Sequence, residues 1–166
     1  DTLGAVVAEI KSNGRLRLSP VGGFNANNAE AHNCRVYTYD GQIYEGTIQL
    51  ADASLHVNKE YSTTQRTFQS VEVVLDEPVT SKDDVKALGI TNGCFVCADP
   101  NLVVTNSGYI KSRFLDDKLS AAILLGYAKY IRENNITPLR KVYQHMTVFE
   151  EVGHGACASI PEDVTE

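Results

Sequence analysis

Leu3-Gly4-Ala5-Val6-Val7-Ala8-Glu9-Ile10 runs into Lys11-Ser12-Asn13-Gly14, and Arg15-Leu16-Arg17-Leu18 follows. The first run is apolar and rich in β-branched residues, which suits a pleated, half-buried strand. The last alternates polar and apolar, the period of two that lays one face of a strand on a core. Asn-Gly between them tolerates the positive φ that a tight reversal needs. The stretch predicts a β-hairpin, and a chain that opens this way is expected to build an antiparallel sheet.

The same grammar continues outward. Val36-Tyr37-Thr38-Tyr39 leads into Asp40-Gly41, and residues 43–50 resume a strand pattern, a second hairpin. Residues 71–75 are an apolar run bounded by Asp76-Glu77-Pro78, and residues 95–98 and 102–105 also read as strands. Residues 51–69 are polar and irregular and are expected to hold a long loop. Ser81 with Asp84 three residues on is a capping box; Val85 and Leu88 then share a face, and Gly89 stops the helix. Short strands with regular turn signals predict a small β-barrel or sandwich.

From about Asn106 the pattern changes. Asp116-Asp117 precedes a helix with Leu119, Ile123, Tyr127, Tyr130 and Ile131 on one face, ended by Asn134-Asn135 and Thr137-Pro138. Residues 142–149 read as a buried strand, and Glu150-Glu151-Val152-Gly153-His154-Gly155 follows at once. Helix, turn, strand and Gly-rich loop are the elements of an α/β layer. One strand and one helix cannot cover a sheet on both faces, so its other strands are expected outside this chain or in a partner. The fold class is therefore mixed α and β.

Composition narrows the function. The chain has 166 residues, 43% of them apolar, enough for a core. A net charge of −6 argues against nucleic acid or an anionic membrane as partner. No apolar run approaches the roughly 20 residues that span a bilayer, and no signal-peptide pattern opens the chain. A soluble, cytoplasmic protein is expected. The chain begins at Asp1, and its only methionine is Met146, so a segment of a longer protein is expected as well. The cysteines are Cys34, Cys94, Cys97 and Cys157. Cys94 and Cys97 have the spacing of a metal or redox pair, but residues three apart in a strand face opposite ways. Buried thiols are the expectation for all four.

Two acidic pairs stand where chemistry could be placed. Glu150 and Glu151 leave the carboxyl end of a predicted strand, where sites of α/β sheets form. Adjacent carboxylates point differently, so one can hold a metal while the other takes a proton from water; the plainer alternative is two solvated loop carboxylates. Asp116-Asp117 could cap its helix, worth about 1 kcal/mol, and one Asp suffices for that; the other could bind a cation. His32, His56, His145 and His154 are scattered, and only His154 neighbours an acidic pair.

Taken in order, Asp1-Thr2-Leu3-Gly4, Ser112-Arg113-Phe114-Leu115-Asp116-Asp117-Lys118 and Glu150-Glu151-Val152-Gly153-His154-Gly155-Ala156 resemble the glutamyl and deblocking aminopeptidase family, the tetrahedral co-catalytic metallopeptidases. Gly89-Ile90-Thr91-Asn92-Gly93 before a strand fits the same family. The resemblance implies that Asp1 is the Asp of a His-x-Asp motif that orients the site, with its His just before this chain. It implies that Asp116 bridges two metals, Glu150 is the general base and Glu151 a metal ligand. It implies two divalent ions, zinc first, with cobalt or manganese as alternatives, and peptide substrates. It further implies that residues 4–106 are an inserted β-rich domain for oligomer assembly, dimers building larger particles. Residues 1–3 and 107–166 would then be part of an α/β catalytic domain.

The expected activity is metal-dependent removal of N-terminal residues from peptides, with this chain an incomplete, inactive segment. A second reading is a non-catalytic dimerisation domain. A third is a glycoside hydrolase using Asp116 and Glu150; the absence of Trp speaks against sugar-stacking platforms.

Overall fold

The computed structural model describes residues 3–150, 153–155 and 160–165. The chain forms two compact units, Thr2–Arg113 and Phe114–Glu166. Asp1, Glu151 and Cys157 lie outside the described residues.

In the first unit, β1 (Gly4–Ile10) and β2 (Leu16–Val21) form the hairpin expected from Asn13-Gly14. Only Gly14 takes a positive φ, 78°. The Lys11 amide donates to the Arg15 carbonyl at 2.9 Å, and Gly14 N–H to the Lys11 carbonyl at 3.0 Å. The reversal is thus a three-residue loop ending in a left-handed glycine. Between β3 (His32–Tyr37) and β4 (Ile43–Leu50) the same design recurs, with Gly41 at φ 86°. There the Thr38 hydroxyl donates to the Asp40 carboxylate and accepts from Gln42 N–H at 2.9 Å. That hydroxyl holds the Asp40 carboxyl below its ordinary range.

With β5 (Val71–Leu75) and β6 (Phe95–Ala98) these strands close a six-stranded antiparallel barrel in the order β1-β2-β5-β4-β3-β6. Closure runs through Ala5 opposite Val96 and Val6 opposite Phe95. Inward-facing side chains fill the barrel: Val7, Leu16, Leu18, Val36, Ile48, Leu50, Val73 and Val96 are all buried. Each contributes roughly 1.5–3 kcal/mol by leaving water. Gly46 on β4 has no room for a side chain, since a Cβ there would lie 2.6 Å from the Val74 carbonyl oxygen. Between β5 and β6, α1 (Lys82–Ala87) starts with the Ser81–Asp84 capping box and ends at Gly89, φ 80°. Val85 and Ile90 anchor it by complete burial.

Residues 51–69 contain turns but neither helix nor strand. A clamp holds them. Arg66 Nε meets Glu30 Oε2 at 2.7 Å, Tyr61 donates to Glu30 at 3.1 Å, and Arg66 also donates to the Tyr61 and Thr64 carbonyls. The Arg66 guanidinium stacks 4.6 Å over the Tyr61 ring. Outside the barrel wall, Glu72 is buried against Lys11 at 2.6 Å and Arg15 at 3.1 Å. The sequence reading did not anticipate the 3-10 turn Ala26–Asn28, or that β7 (Val103–Val104) pairs with β8 (Ile110–Lys111) in a separate ribbon.

Two expectations need correction. Cys34 and Cys94 are buried as expected, and burial pushes the Cys34 thiol up to about 12. Cys97 is exposed, because it faces outward from β6 while Cys94 precedes the strand. In the second unit, α2 (Leu115–Glu133) forms as expected, but residues 142–149 are not a buried strand. Val142, Val148 and Phe149 are 54%, 85% and 64% exposed. A strand is stabilised by neighbours that satisfy its backbone and cover its face, and none adjoins this segment among the described residues. α2 likewise buries none of its side chains. Among the described residues no helix is long and apolar enough to cross a membrane.

Gly46→Ala is expected to destabilise the barrel by about 1–3 kcal/mol, read as a lowered denaturation midpoint at unchanged slope. Acid should loosen the 51–69 loop. Glu30 is held below the ordinary carboxylate range, chiefly by its hydrogen bond to Arg66. A depressed folded value means this stability is fully present above the unfolded pKa of about 4.3. It is lost as pH falls through the folded one. The protection of residues 51–69 against hydrogen exchange should therefore hold from neutral pH down to the unfolded pKa and be lost as pH falls further, through the depressed Glu30 value; Glu30→Gln should remove that transition.

Candidate active-site segments

The second unit carries the Asp116-Asp117 pair and Glu150. Asp116 and Asp117 stand at the start of α2 in a non-helical turn. Asp116 has φ −81° and ψ 116°, Asp117 φ −114° and ψ 29°, and the peptide bond between them is cis. Phe114, at φ 60°, occupies the cap position and makes no side-chain cap bond. Asp116 is exposed and Asp117 half-buried. The two carboxylates sit in the first turn, where the helix dipole favours negative charge. Lys118 lies 5.7 Å over the Phe114 ring.

Glu150 opens a tight turn. Gly153 N–H donates to the Glu150 carbonyl at 2.8 Å, and His154 N–H to the Phe149 carbonyl at 2.9 Å. Gly153 adopts φ 78° and Gly155 φ 94°, so the glycines after the acidic pair serve the reversal. A Cβ on Gly155 would lie 3.0 Å from Thr147 Cβ, which keeps the turn close to the segment before it. Glu150 and His154 are exposed. Gln144 donates to the Leu124 carbonyl at 2.8 Å and ties the segment to α2.

A groove of about 530 Å³ runs between α2 and residues 138–144, lined by Tyr127, Ile131, Pro138 and Val142. It is mostly apolar and includes neither acidic pair. Beside it lies a cluster that the sequence did not reveal. Lys141 Nζ meets Asp163 at 2.9 Å, the Tyr143 hydroxyl donates to both Asp163 oxygens at 2.8 and 3.0 Å, and Lys141 stacks 4.6 Å over the Tyr143 ring. Lys141 first and Tyr143 second hold the Asp163 carboxyl low. A partner twenty-two positions away has no local periodicity, so only the fold brings it in.

As metal donors, Asp116 and Glu150 are hard carboxylate oxygens that suit a divalent ion in part. Among the described residues no three His, Cys, Asp or Glu side chains converge on one point. The donor chemistry fits a portion of a metal centre.

A family model described as M42 glutamyl aminopeptidase matches residues 1–166. The Bacillus subtilis (strain 168) protein named "Putative aminopeptidase YhfE" is 41% identical over the whole of this chain and 48% of its own length. The lysyl aminopeptidase of Pyrococcus furiosus is 22% identical over 92% of this chain and 42% of its own. The chain spans about half the length of the curated relatives it matches. Among solved structures, a TET aminopeptidase from the marine sediment archaeon Thaumarchaeota archaeon SCGC AB-539-E09 superposes with a TM-score of 0.69. It is 18% identical over 82% of this chain and 38% of that one. The Pyrococcus horikoshii TET1 peptidase, described as assembling into a tetrahedron or a large octahedral shell, has a TM-score of 0.57 and 26% identity over 70% of this chain and 34% of that one.

Proposed function

The chain belongs to the M42 glutamyl aminopeptidase family, and from that premise we propose that the protein removes N-terminal residues from peptides at a two-metal centre. The observation that carries this reading is the match of the family model over all 166 residues, together with the two acidic pairs in family order. Asp116 and Glu151 would hold the ions, and Asp1 would orient a neighbouring imidazole. When bound, two divalent ions, zinc first, supply Lewis acidity and lower the pKa of a water.

Glu150 is assigned the proton. Its carboxylate takes one proton from the attacking water and later delivers it to the leaving amine. The hydrogen bonds from Gly153 N–H to the Glu150 carbonyl and from His154 N–H to the Phe149 carbonyl support this role, because they anchor the backbone at Glu150. Asp116 is supported by the non-helical turn at Phe114–Asp117, which holds its backbone apart from the helical register that follows.

Residues 4–106 are assigned to assembly, with the rest a part of an α/β catalytic domain. The barrel has its own filled core, whereas α2 buries no side chain. Homo-oligomers are proposed for the protein, as the TET1 neighbour is described as forming. This chain by itself is proposed to be inactive, since the resemblance assigns only Asp116 and Glu151 in it as metal ligands.

In the full-length protein, Glu150→Gln should lower turnover by about 100-fold or more while metal content stays at the wild-type level; near wild-type turnover would remove Glu150 from the mechanism. A chelator should abolish peptide hydrolysis, and added zinc, cobalt or manganese should restore it. Hydrolysis of a glycoside that ignores the chelator would support the carboxylate-pair glycosidase instead.

A further inference from the structure

The β1–β2 hairpin is joined to the rest of the barrel unevenly. Near its base, β1 pairs with β6 through Ala5 opposite Val96 and Val6 opposite Phe95. Two further bonds extend that seam: Val7 N–H donates to the Cys94 carbonyl at 2.9 Å, and Gly93 N–H to the Val7 carbonyl at 2.8 Å. On the other side, among the described residues, β2 meets β5 only where Leu16 lies opposite Val73 and Arg17 opposite Glu72, close to the tip. β4, by contrast, pairs with β5 along its whole length, from Leu50 opposite Val71 to Gly46 opposite Leu75. Between the two attachments of the hairpin, the register of β1 against β2 shifts from Val7 to Glu9, an irregularity of the kind at which a strand bends.

The tip coheres within itself. Glu9 lies opposite Arg17 and Ile10 opposite Leu16. Arg17 Nε meets Glu9 Oε2 at 2.8 Å, and the bond from Lys11 N–H to the Arg15 carbonyl closes the end. Ile10 and Leu16 are its buried side chains. Lifting residues 9–17 from β5 therefore uncovers far less apolar surface than unfolding the barrel does, which is what allows a local opening.

Polar groups hold this tip down. Lys11 Nζ meets Glu72 Oε2 at 2.6 Å and Arg15 Nη1 meets Glu72 Oε1 at 3.1 Å, while Arg15 also donates to the Ala51 carbonyl at 2.9 Å. The Glu72 side chain is 5% exposed, those of Lys11 and Arg15 38% and 34%. One carboxylate withdrawn from water thus holds two partly hydrated cations. Removing one cation leaves the carboxylate its other partner. Removing the carboxylate leaves two like charges side by side, so the attachment turns on Glu72.

We propose that residues 9–17 form a hinged strap that lifts from β5 as one unit, with the bend at residue 8 and Glu72 as the latch. The barrel opens at the β2–β5 seam while β3, β4, β5 and β6 keep their pairing. Once lifted, a two-stranded tip is at best marginally stable in water, so its amides exchange from the open state. This property of the first unit does not depend on the aminopeptidase reading.

Amide-resolved hydrogen exchange by NMR on the whole chain at neutral pH tests it. In the wild type, the protected amides of residues 9–17 should exchange about tenfold or more faster than those of β3 and β4, while Val7 stays as protected as β3 and β4. Glu72→Gln should speed the strap by about a further tenfold or more and leave β3, β4 and Val7 within about threefold of the wild type. Lys11→Met, which leaves Arg15 on Glu72, should give the same pattern at smaller amplitude, and it decides the matter if Glu72→Gln does not fold. Equal acceleration of all strands in the variant that folds overturns the proposal. So does an unchanged strap, or a loss of protection at Val7 that matches the loss at Lys11.

Discussion

The pairing of Ala5 and Val6 with Val96 and Phe95 is what makes the first unit a closed object. Without it, β1 and β6 would be free edges with unsatisfied N–H and C=O groups, an invitation to pair with other chains. With it, each strand of the barrel has two neighbours, and inward-facing Val, Leu and Ile share one interior. Closure also imposes local conditions. Two strands pass so close at Gly46 that a methyl group would strike the Val74 carbonyl. The register of β1 against β2 shifts between Val7 and Glu9, an irregularity of the kind that bends a strand.

The second unit lacks such closure. α2 and residues 142–149 expose the apolar side chains that their patterns mark for burial. The contrast is one of partners rather than of propensity. A helix makes its hydrogen bonds within itself, and at its end the Asn134 backbone and side chain both donate to the Tyr130 carbonyl, so α2 forms. A strand makes its hydrogen bonds to other strands, so the run before Glu150 stays irregular without them. The catalytic assignment inherits this distinction. The backbone of Asp116 and of Glu150 lies in turns, and no three metal-donor side chains converge among the described residues.

Much of the barrel could be read from residues. Asn13-Gly14, Asp40-Gly41 and Gly89 mark where the chain reverses or a helix stops, because each supplies a φ that other residues resist. Alternation in Arg15–Leu18 and the Ser81–Asp84 box worked for the same reason: their physics is contained within a few neighbouring residues. The Glu30–Arg66 clamp, the Lys141–Tyr143–Asp163 cluster and the burial of Glu72 were invisible. Their partners are far apart in the chain, and no periodicity connects them.

The acidic pairs divide along the same line. Sequence by itself determined the order of the motifs, the reversals after Asn13 and Asp40, and the family to which Asp116 and Glu150 point, because local chemistry and motif order travel with the chain. Only the tertiary structure decided that Cys97 faces outward and that residues 142–149 are uncovered. It alone set Lys11 and Arg15 against Glu72. Those outcomes depend on strand register and on which surfaces meet, and both are fixed by contacts between distant residues.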